Sequence, residues 1–514
     1  MNRGGRAVGR YGGIRLALAG LLLTALPAYR PTALLAQCPD GAPPPCRGAR
    51  VAAPVHSVAV LYFENATHDS ADAYLADGLT EDIITRLTGI ERLTVRSRYF
   101  VRRYRSAGLD DPATIGRSLG VTYLVTGSIR RAGRRLRVSA ELIRANGGVQ
   151  VWSRQFDQQG NDIFAIQEAV AGEVAGGIIG RLLPAERQAI AVRPTSSSAA
   201  FDAYLLGRYY WGKRTAGDLV RAADYFQRSI RADSNYALAW SGLADAYVLF
   251  VPAEYDVPGI NPDSILDLAE RSARRALALA PGLGEAYTSL GEILEYRQRW
   301  VEARASFERG VALSPLYPTA HLWYGYDLMV WNRWEDAVRE MERARELDPL
   351  SVVTIVSLAA AYDGAERRDD ATAMYAQARA LGPDHLVVLF FASAHDLYRR
   401  DYEQLATDYS RLVMFTGADS SVARDLERRL RDPATRNAAL RASAEGPEVQ
   451  VSWRAVVLAA LDGDEAMIRY LSGLGTDVMR SGVGSLLFCG CIRPGLRTDP
   501  TMVAVLARLG FPRP

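Results

Sequence analysis

The chain has 514 residues, of which 49% are hydrophobic and 23% are charged, and its formal net charge is +3. A chain of this length cannot fold around one hydrophobic core and is expected to form about three folded units. The composition excludes a disordered chain, and the nearly balanced charge gives no general reason to expect a nucleic-acid partner.

An export signal is predicted at residues 1–36. Several arginines precede the apolar run LALAGLLLTALPA, which occupies only the 13 positions 16–28. Such a run is too short to span ~30 Å of hydrocarbon but matches the core of a signal peptide. We expect cleavage after Ala36 and a periplasmic protein. Lipidation at Cys38 and an uncleaved anchor that faces the periplasm are the alternatives.

The four cysteines fall into two close pairs. Cys38 and Cys46 bracket CPDGAPPPC in a Pro-rich linker at 37–55, where a disulfide is possible in an oxidising compartment. Cys489 and Cys491 are only two positions apart in FCGCI. A bridge between neighbours so close would be strained, so free or buried thiols are expected there.

Residues 56–184 predict an α/β or α+β sheet domain. Strand patterns alternate with helix patterns, and two hairpin turns occur at AGR and NGG. In chain order the predictions are a strand at 57–63, a helix at 76–87, a strand at 93–97, a helix at 111–120, strands at 122–131, 135–144 and 149–157, and a helix at 161–183.

The segment ADGLTED carries three acidic residues at the start of the first predicted helix. Asp77 or Thr80 is expected to cap this helix, with Glu81 and Asp82 in its first turn, where the helix dipole favours negative charge. A cation site formed by Asp77, Glu81 and Asp82 is the alternative.

A period of 34 residues runs through the second half of the chain. Pro281, Pro315, Pro349 and Pro383 are separated by this interval (315 − 281 = 34). An alanine lies twelve positions before each proline. A residue that is large in three of the four cases lies eight positions before it: Ala273, Phe307, Met341 and Tyr375. This spacing is typical of stacked helix pairs, in which proline ends the second helix.

The pattern resembles the tetratricopeptide repeat. Its W-x₂-L-G-x₂-Y element is matched by Trp240, Leu243, Ala244 and Tyr247. The resemblance implies about six repeats at 200–417, with an insertion at 250–264 and a C-terminal helical capping region at 418–514. The expected fold is therefore multidomain, a sheet domain followed by an all-α solenoid.

The sheet domain also resembles a known family. The segments VAVLYFEN, YLADGLTEDIITRL, RSLGVTYLVTGSIRRAGRRLRVSAELI and VWSRQFD are similar to the TolB amino-terminal-type domain of bacterial envelope proteins. This resemblance covers nearly all of 57–183. It implies an exported module that binds partners.

In this repeat family the stacked first helices form a concave surface that binds peptides or protein segments. The repeat phase places nine residues of this chain on that surface: Tyr204, Trp211, Glu285, Glu292, Glu295, Tyr296, Leu322, Tyr326 and Met329. Rings and carboxylates together suit an extended segment with apolar and basic side chains. The alternative is that several of these residues pack against the adjacent domain.

No catalytic motif is found. The five histidines show no metalloprotease spacing, and no nucleophile elbow is present. We therefore expect a non-enzymatic, exported protein-binding scaffold or adaptor without cofactor, metal or nucleic-acid ligand. Membrane contact is expected only if the N-terminal segment is uncleaved or lipidated. The alternatives are an accessory regulator acting in trans on a membrane-bound signalling kinase or cyclase, and an enzyme within the sheet domain.

Overall fold

The computed structural model describes residues 54–67, 72–105, 111–133, 135–159, 163–251, 257, 259–415, 418–445, 451–475, 487, 490–492 and 494–513. The predicted signal peptide, Cys38, Cys46 and Cys489 lie outside the described residues. So does part of the predicted insertion at 250–264.

A mixed sheet forms near the start of the described chain. Its strands are β1 Ser57–Val60, β2 Glu64–Asn65, β3 Thr94–Val95, β4 Tyr123–Ala132, β5 Arg135–Arg144 and β6 Val149–Gln159. The order is β3-β1-β4-β5-β6, with β2 also paired to β4. β1 runs parallel to both neighbours, whereas β4, β5 and β6 are antiparallel hairpins. The predicted α/β start of the chain is confirmed.

Five helices accompany this sheet. They are α1 Ala73–Thr88, α2 Arg98–Val101, α3 Pro112–Leu119, α4 Ile163–Ile179 and α5 Pro184–Ala191. α1 and α4 pack together, and buried Leu79, Ile83 and Val174 join Val138 and Leu142 of the sheet in one core. Along β5, exposed or half-buried residues alternate with buried ones, so the second face of the hairpins meets solvent.

The expected helix cap at Asp77 or Thr80 is wrong, because α1 begins four to seven residues earlier, at Ala73. Thr80 is fully buried in mid-helix, where its hydroxyl donates to Ala76 O at 2.8 Å and accepts from Phe63 N at 3.1 Å. It therefore ties the helix to the chain after β1. Glu81 and Asp82 lie in the third turn, not at the helix start.

Six helix pairs follow. They are α6 Ser198–Trp211 with α7 Ala216–Ala232, α8 Ala237–Val248 with α9 Pro262–Leu279, α10 Gly284–Tyr296 with α11 Trp300–Leu313, α12 Pro318–Val330 with α13 Trp334–Leu347, α14 Val352–Gly364 with α15 Arg368–Leu381, and α16 Leu386–Arg399 with α17 Tyr402–Phe415. Each first helix contacts the first helix of the next pair. The predicted tetratricopeptide-type helical body is confirmed.

The turns inside the last four pairs repeat the same backbone geometry. Gln298, Asn332, Glu366 and Arg400 all have φ near +60° and are spaced by 34 residues (332 − 298 = 34). The next residue closes each turn; for example, the Arg333 N–H donates to Leu328 O at 2.8 Å. This is the Schellman ending of a helix, built here without glycine. It was not anticipated from the sequence.

Small residues allow the two helices of a pair to approach closely. A Cβ at Gly291 would lie 2.6 Å from the ring of Phe307, and one at Gly325 would lie 2.7 Å from Met341. Phe307 and Met341 are fully buried. In these two pairs a small residue on the first helix thus makes room for a large one on the second.

Further helices continue from the last pair. They are α18 Ser420–Arg431, α19 Arg436–Ser443, α20 Val451–Asp462, α21 Asp464–Ser472, α22 Pro494–Arg497 and α23 Pro500–Arg508. α18 packs on α17, and the ring of Trp453 stacks on Tyr409 at 4.3 Å.

Cys491 is buried and disulfide-bonded, so the expectation of a free thiol is wrong for this residue. Among the described helices, none combines the length and apolar character that membrane crossing requires.

Replacing Gly291 by valine should destabilise the array, because the added carbons would enter the space of the fully buried Phe307 ring. We expect a loss of about 2–3 kcal/mol in the free energy of unfolding, typical of an overpacked core. Urea unfolding followed by circular dichroism measures it. Gly282→Val is the matched control, since a Cβ there meets nothing within 4 Å. Equal stability of both variants would contradict the packing argument.

Candidate partner-binding groove

The nine predicted groove residues all lie on the first helices α6, α10 and α12, as the repeat phase requires. Their exposure divides them into two sets. Trp211, Glu295, Leu322 and Met329 are buried, whereas the other five are half-buried: Tyr204, Glu285, Glu292, Tyr296 and Tyr326. The chain itself therefore covers much of the surface that stacked first helices present.

The sheet domain covers the start of the array. Leu205 of α6 packs into the notch at Gly78 of α1, and the rings of Phe164 and Phe201 lie 4.6 Å apart. Tyr204 contacts the Tyr236 ring at 5.2 Å, and burial raises the pKa of its hydroxyl. Tyr204 thus packs against both cores. For this residue the alternative of packing against the adjacent domain holds.

Three arginines at and after α2, Arg98, Arg102 and Arg105, form ion pairs within the sheet domain and with the repeats. Arg98 donates to Glu81 at 2.9 Å, and Arg105 lies 2.5 Å from Asp77. Arg102 lies 3.9 Å from Asp348, at the end of α13. Burial opposes ionisation of Glu81, but Arg98 and Arg208 outweigh it, so the pKa of Glu81 is lowered.

The alternative cation site on α1 therefore already has internal counterions. Asp77 and Glu81 pair with Arg105 and Arg98, and Asp82 forms an ion pair with Arg86. Among the described residues no group of three or more histidine, cysteine or acidic side chains is arranged to hold a metal ion. The acidic residues act as anchors for arginines.

Polar side chains link α6, α8 and α10, which are the first helices of the first three pairs. Arg208 of α6 lies 3.6 Å from Asp245 of α8, and the Ser289 hydroxyl of α10 donates to Asp245. Burial raises the pKa of Asp245 to about 6 despite the nearby Arg208. The Trp211 indole N–H donates to Asp245 O at 3.2 Å. Trp211 is therefore engaged inside the protein rather than presented to a ligand.

Two carboxyl groups meet where α10 packs on α12. Asp327 accepts from Arg304 of α11 at 2.6 Å and from the Trp331 indole at 3.2 Å. Burial raises the pKa of Asp327 to about 6. Burial, reinforced by Glu292 and Asp327, raises the pKa of Glu295 well above its ordinary value. Burial and the two neighbouring carboxyl groups thus favour the protonated form of Glu295.

The C-terminal segment covers the turns of the central pairs. The Arg497 side chain, only 1% exposed, donates to Met329 O at 2.5 Å and to Val330 O, at the end of α12. The Trp300 indole donates to Gly510 O at 2.8 Å. Such a cation on terminal carbonyls stabilises a helix end. It also explains why Met329 is buried rather than available for a partner.

The part of the groove that remains accessible is its centre. Glu285, Glu292 and Tyr296 of α10 are half-buried, as is Tyr326 of α12, whose hydroxyl lies 2.5 Å from Ser357 Oγ. These four residues form the central stripe of the groove. Carboxylates and phenol rings together favour a ligand segment with basic and apolar side chains.

One hydrogen-bonded set has the residue types of a hydrolase triad. His395 Nδ1 lies 2.8 Å from Asp363, and its Nε2 lies 3.1 Å from Thr372 Oγ1. However, the Thr372 hydroxyl donates its proton to Arg368 O within its own helix, so this proton is not directed at His395. The set ties α14, α15 and α16 together.

Comparison with known proteins gives two sequence matches. Residues 55–173 match the family described as HilA/YgeH-like transcriptional regulator, second domain. A putative adenylate cyclase 3 from Rhizobium meliloti (strain 1021) is 31% identical over 188 residues, which is 37% of this chain and 32% of the relative. The chain therefore spans about a third of the length of the curated relative it matches.

Two solved structures are similar to part of this chain. TTC0263, a thermophilic TPR protein of Thermus thermophilus, has 19% identity and a TM-score of 0.31, with 37% of this chain and 95% of that chain covered. Yeast Tom70 has 16% identity and a TM-score of 0.34, with 61% of this chain and 68% of that chain covered.

Replacing Glu295 by glutamine should change how stability depends on pH. A carboxyl whose folded pKa is raised contributes fully to stability only below its unfolded pKa, near 4.5, and that contribution is lost as pH rises. Glutamine imitates the protonated acid at every pH. The unfolding free energy of the variant, relative to wild type, should therefore rise with pH by up to about 1.4 kcal/mol per unit.

Urea unfolding at a series of pH values measures this difference. Glu335→Gln, at an exposed position of α13, is the matched control. A difference for Glu295→Gln that does not change with pH would show that the carboxyl pair is not held as described.

Proposed function

We propose that this protein is a non-enzymatic, exported scaffold or adaptor whose repeat array holds an extended segment of another protein. The observation that carries the proposal is the central stripe, where half-buried tyrosines and glutamates lie side by side on stacked first helices. Buried aromatic anchors supply most of the affinity in such interfaces, and charges set selectivity. No nucleic-acid partner is proposed.

The nine groove residues enter this proposal with different roles. Glu285, Glu292, Tyr296 and Tyr326 are the proposed ligand contacts, because solvent reaches them. Trp211, Glu295, Leu322 and Met329 are buried within the protein and are not proposed as ligand contacts, and Tyr204 joins the array to the sheet domain. The proposed site is therefore shorter than a groove that runs the whole length of the array.

The sheet domain is proposed to dock a second partner, as the resemblance to the TolB amino-terminal-type domain implies. A second candidate function is an accessory regulator that acts in trans on a membrane-bound signalling kinase or cyclase. The 188-residue similarity to a protein named as a putative adenylate cyclase favours it. Co-purification with a cyclase or kinase, and altered cyclic-nucleotide or phosphate output after deletion, would distinguish this candidate from a scaffold of another pathway.

The proposed location is the periplasm, with a membrane anchor that faces it as the alternative. The disulfide at Cys491 supports an oxidising compartment. We expect residues 1–55, fused to a reporter active only outside the cytoplasm, to give an active fusion. The same fusion with Leu22→Arg, which places a charge in the apolar run, should be inactive. If both fusions are inactive, export is contradicted.

The groove is tested by a Tyr296→Ala/Tyr326→Ala variant in a pull-down from envelope extract. Removing two aromatic anchors should cost about 2 kcal/mol or more of binding free energy, so at least one partner retained by wild type should be lost. Mass spectrometry identifies the retained proteins. Tyr210→Ala/Tyr225→Ala is the control, since these rings stack on each other between α6 and α7. A groove variant that keeps every partner would refute the proposed site.

A further inference from the structure

The outer edge of the sheet domain is a long strand with an unused side. β6 pairs with β5 on one side and ends the strand order, so no strand of the described residues pairs with its other side. It contains 11 residues, whereas β3 at the opposite edge contains two. The unused side of β6 therefore presents a row of backbone donors and acceptors to solvent.

β6 lacks most of the features that prevent edge strands from pairing. Its sequence VQVWSRQFDQQ contains no proline, glycine or lysine. Val149 and Val151 are 55% and 40% exposed. One irregularity in the pairing with β5 occurs beside Val151, between Leu142 and Ile143, and the pairing is regular from Trp152 onward. An uninterrupted stretch, residues 152–159, remains available.

The two charges of β6 are already neutralised by the strand's own domain. Arg154 lies 2.9 Å from Glu173 of α4. Asp157 accepts two hydrogen bonds from Arg137 of β5, at 2.7 and 2.9 Å. The edge therefore carries no net charge that would repel an identical edge. Electrostatic repulsion, the usual protection against self-association, is absent.

We propose that β6 pairs with β6 of a second copy of this chain, antiparallel about a two-fold axis at Gln155. In this register residues whose numbers sum to 310 lie opposite each other. Arg154 then lies opposite the partner's Phe156, a cation–π arrangement, and Ser153 lies opposite the partner's Asp157. No like charges meet. The two stretches also match in length, because they are the same sequence.

The dimer would join two sheets into one continuous sheet through an isologous interface. It would also give each assembly two repeat arrays. Two arrays on one particle bind a multivalent partner with higher avidity than either array alone. The inference is independent of what the groove binds, because it rests only on the sheet edge.

Light scattering coupled to size exclusion tests the proposal on the full chain over a range of concentrations. Wild type should show twice the mass of one chain. Gln155→Lys places two lysines opposite each other at the two-fold axis and should raise the dimer dissociation constant about tenfold or more. Ser139→Lys is the matched control. Ser139 lies opposite Gln155 one strand inward, so the same charge there should leave the dimer unchanged.

Cross-linking tests the register. A short bis-maleimide should join two copies of the Gln155→Cys variant and should not join two copies of Ser139→Cys or of the wild-type chain. Circular dichroism establishes that each variant is folded. A wild type that is monomeric at every concentration overturns the proposal. A dimer that tolerates Gln155→Lys and is not cross-linked through Gln155→Cys also overturns it, since another surface would then hold the copies together.

Discussion

The structure depends on the close approach of two helices within each repeat. Gly291 and Gly325 leave room for Phe307 and Met341, which are fully buried between the helices and in contact with their neighbours. Because the same small-to-large contact recurs every 34 residues, the pairs stack in a regular array. The backbone turns at Gln298, Asn332, Glu366 and Arg400 follow from that regularity, since each must reverse the chain within the same short distance.

This regular stacking places the first helices side by side, but the chain itself covers a large part of the surface that they form. Leu205 and Tyr204 pack on the sheet domain at one end, and Arg497 and Trp300 fasten the C-terminal segment at the central turns. Internal contacts of this kind make the array more rigid and reduce the surface a ligand can reach. The proposed binding site is accordingly a short central stripe of glutamates and tyrosines. A short site favours a short segment of a partner.

Arginine has a consistent structural role in this chain, which contains a single lysine, Lys213. Arg102 joins the sheet domain to the repeats at Asp348, and Arg304 holds the buried Asp327 between two first helices. Arg497 closes a helix end with its two terminal nitrogens. A planar guanidinium can satisfy several acceptors at once, so each of these contacts fixes an orientation as well as a charge. Such orientation links elements that are far apart in sequence.

The sequence by itself was enough to identify the repeat period, the helix pairs and the succession of helices and strands along the sheet domain. These features arise from local patterns: the spacing of proline and alanine, alternation along strands, and glycine at tight turns. The same patterns placed nine residues on the first helices correctly. They could not show which of those residues a ligand could reach. The position of a residue in the repeat places it on one face of a helix but does not reveal which other segments of the chain cover that face.

The tertiary structure alone decided the covering of the groove, the pairing of Glu295 with Asp327 and the arginine partners of Asp77 and Glu81. It also showed that α1 begins at Ala73 and that Thr80 lies in mid-helix, where its hydroxyl accepts a hydrogen bond from the chain that follows β1. Each of these features joins residues separated by many positions in the chain. Contacts between distant residues depend on how whole elements pack, and a local pattern contains no record of that packing.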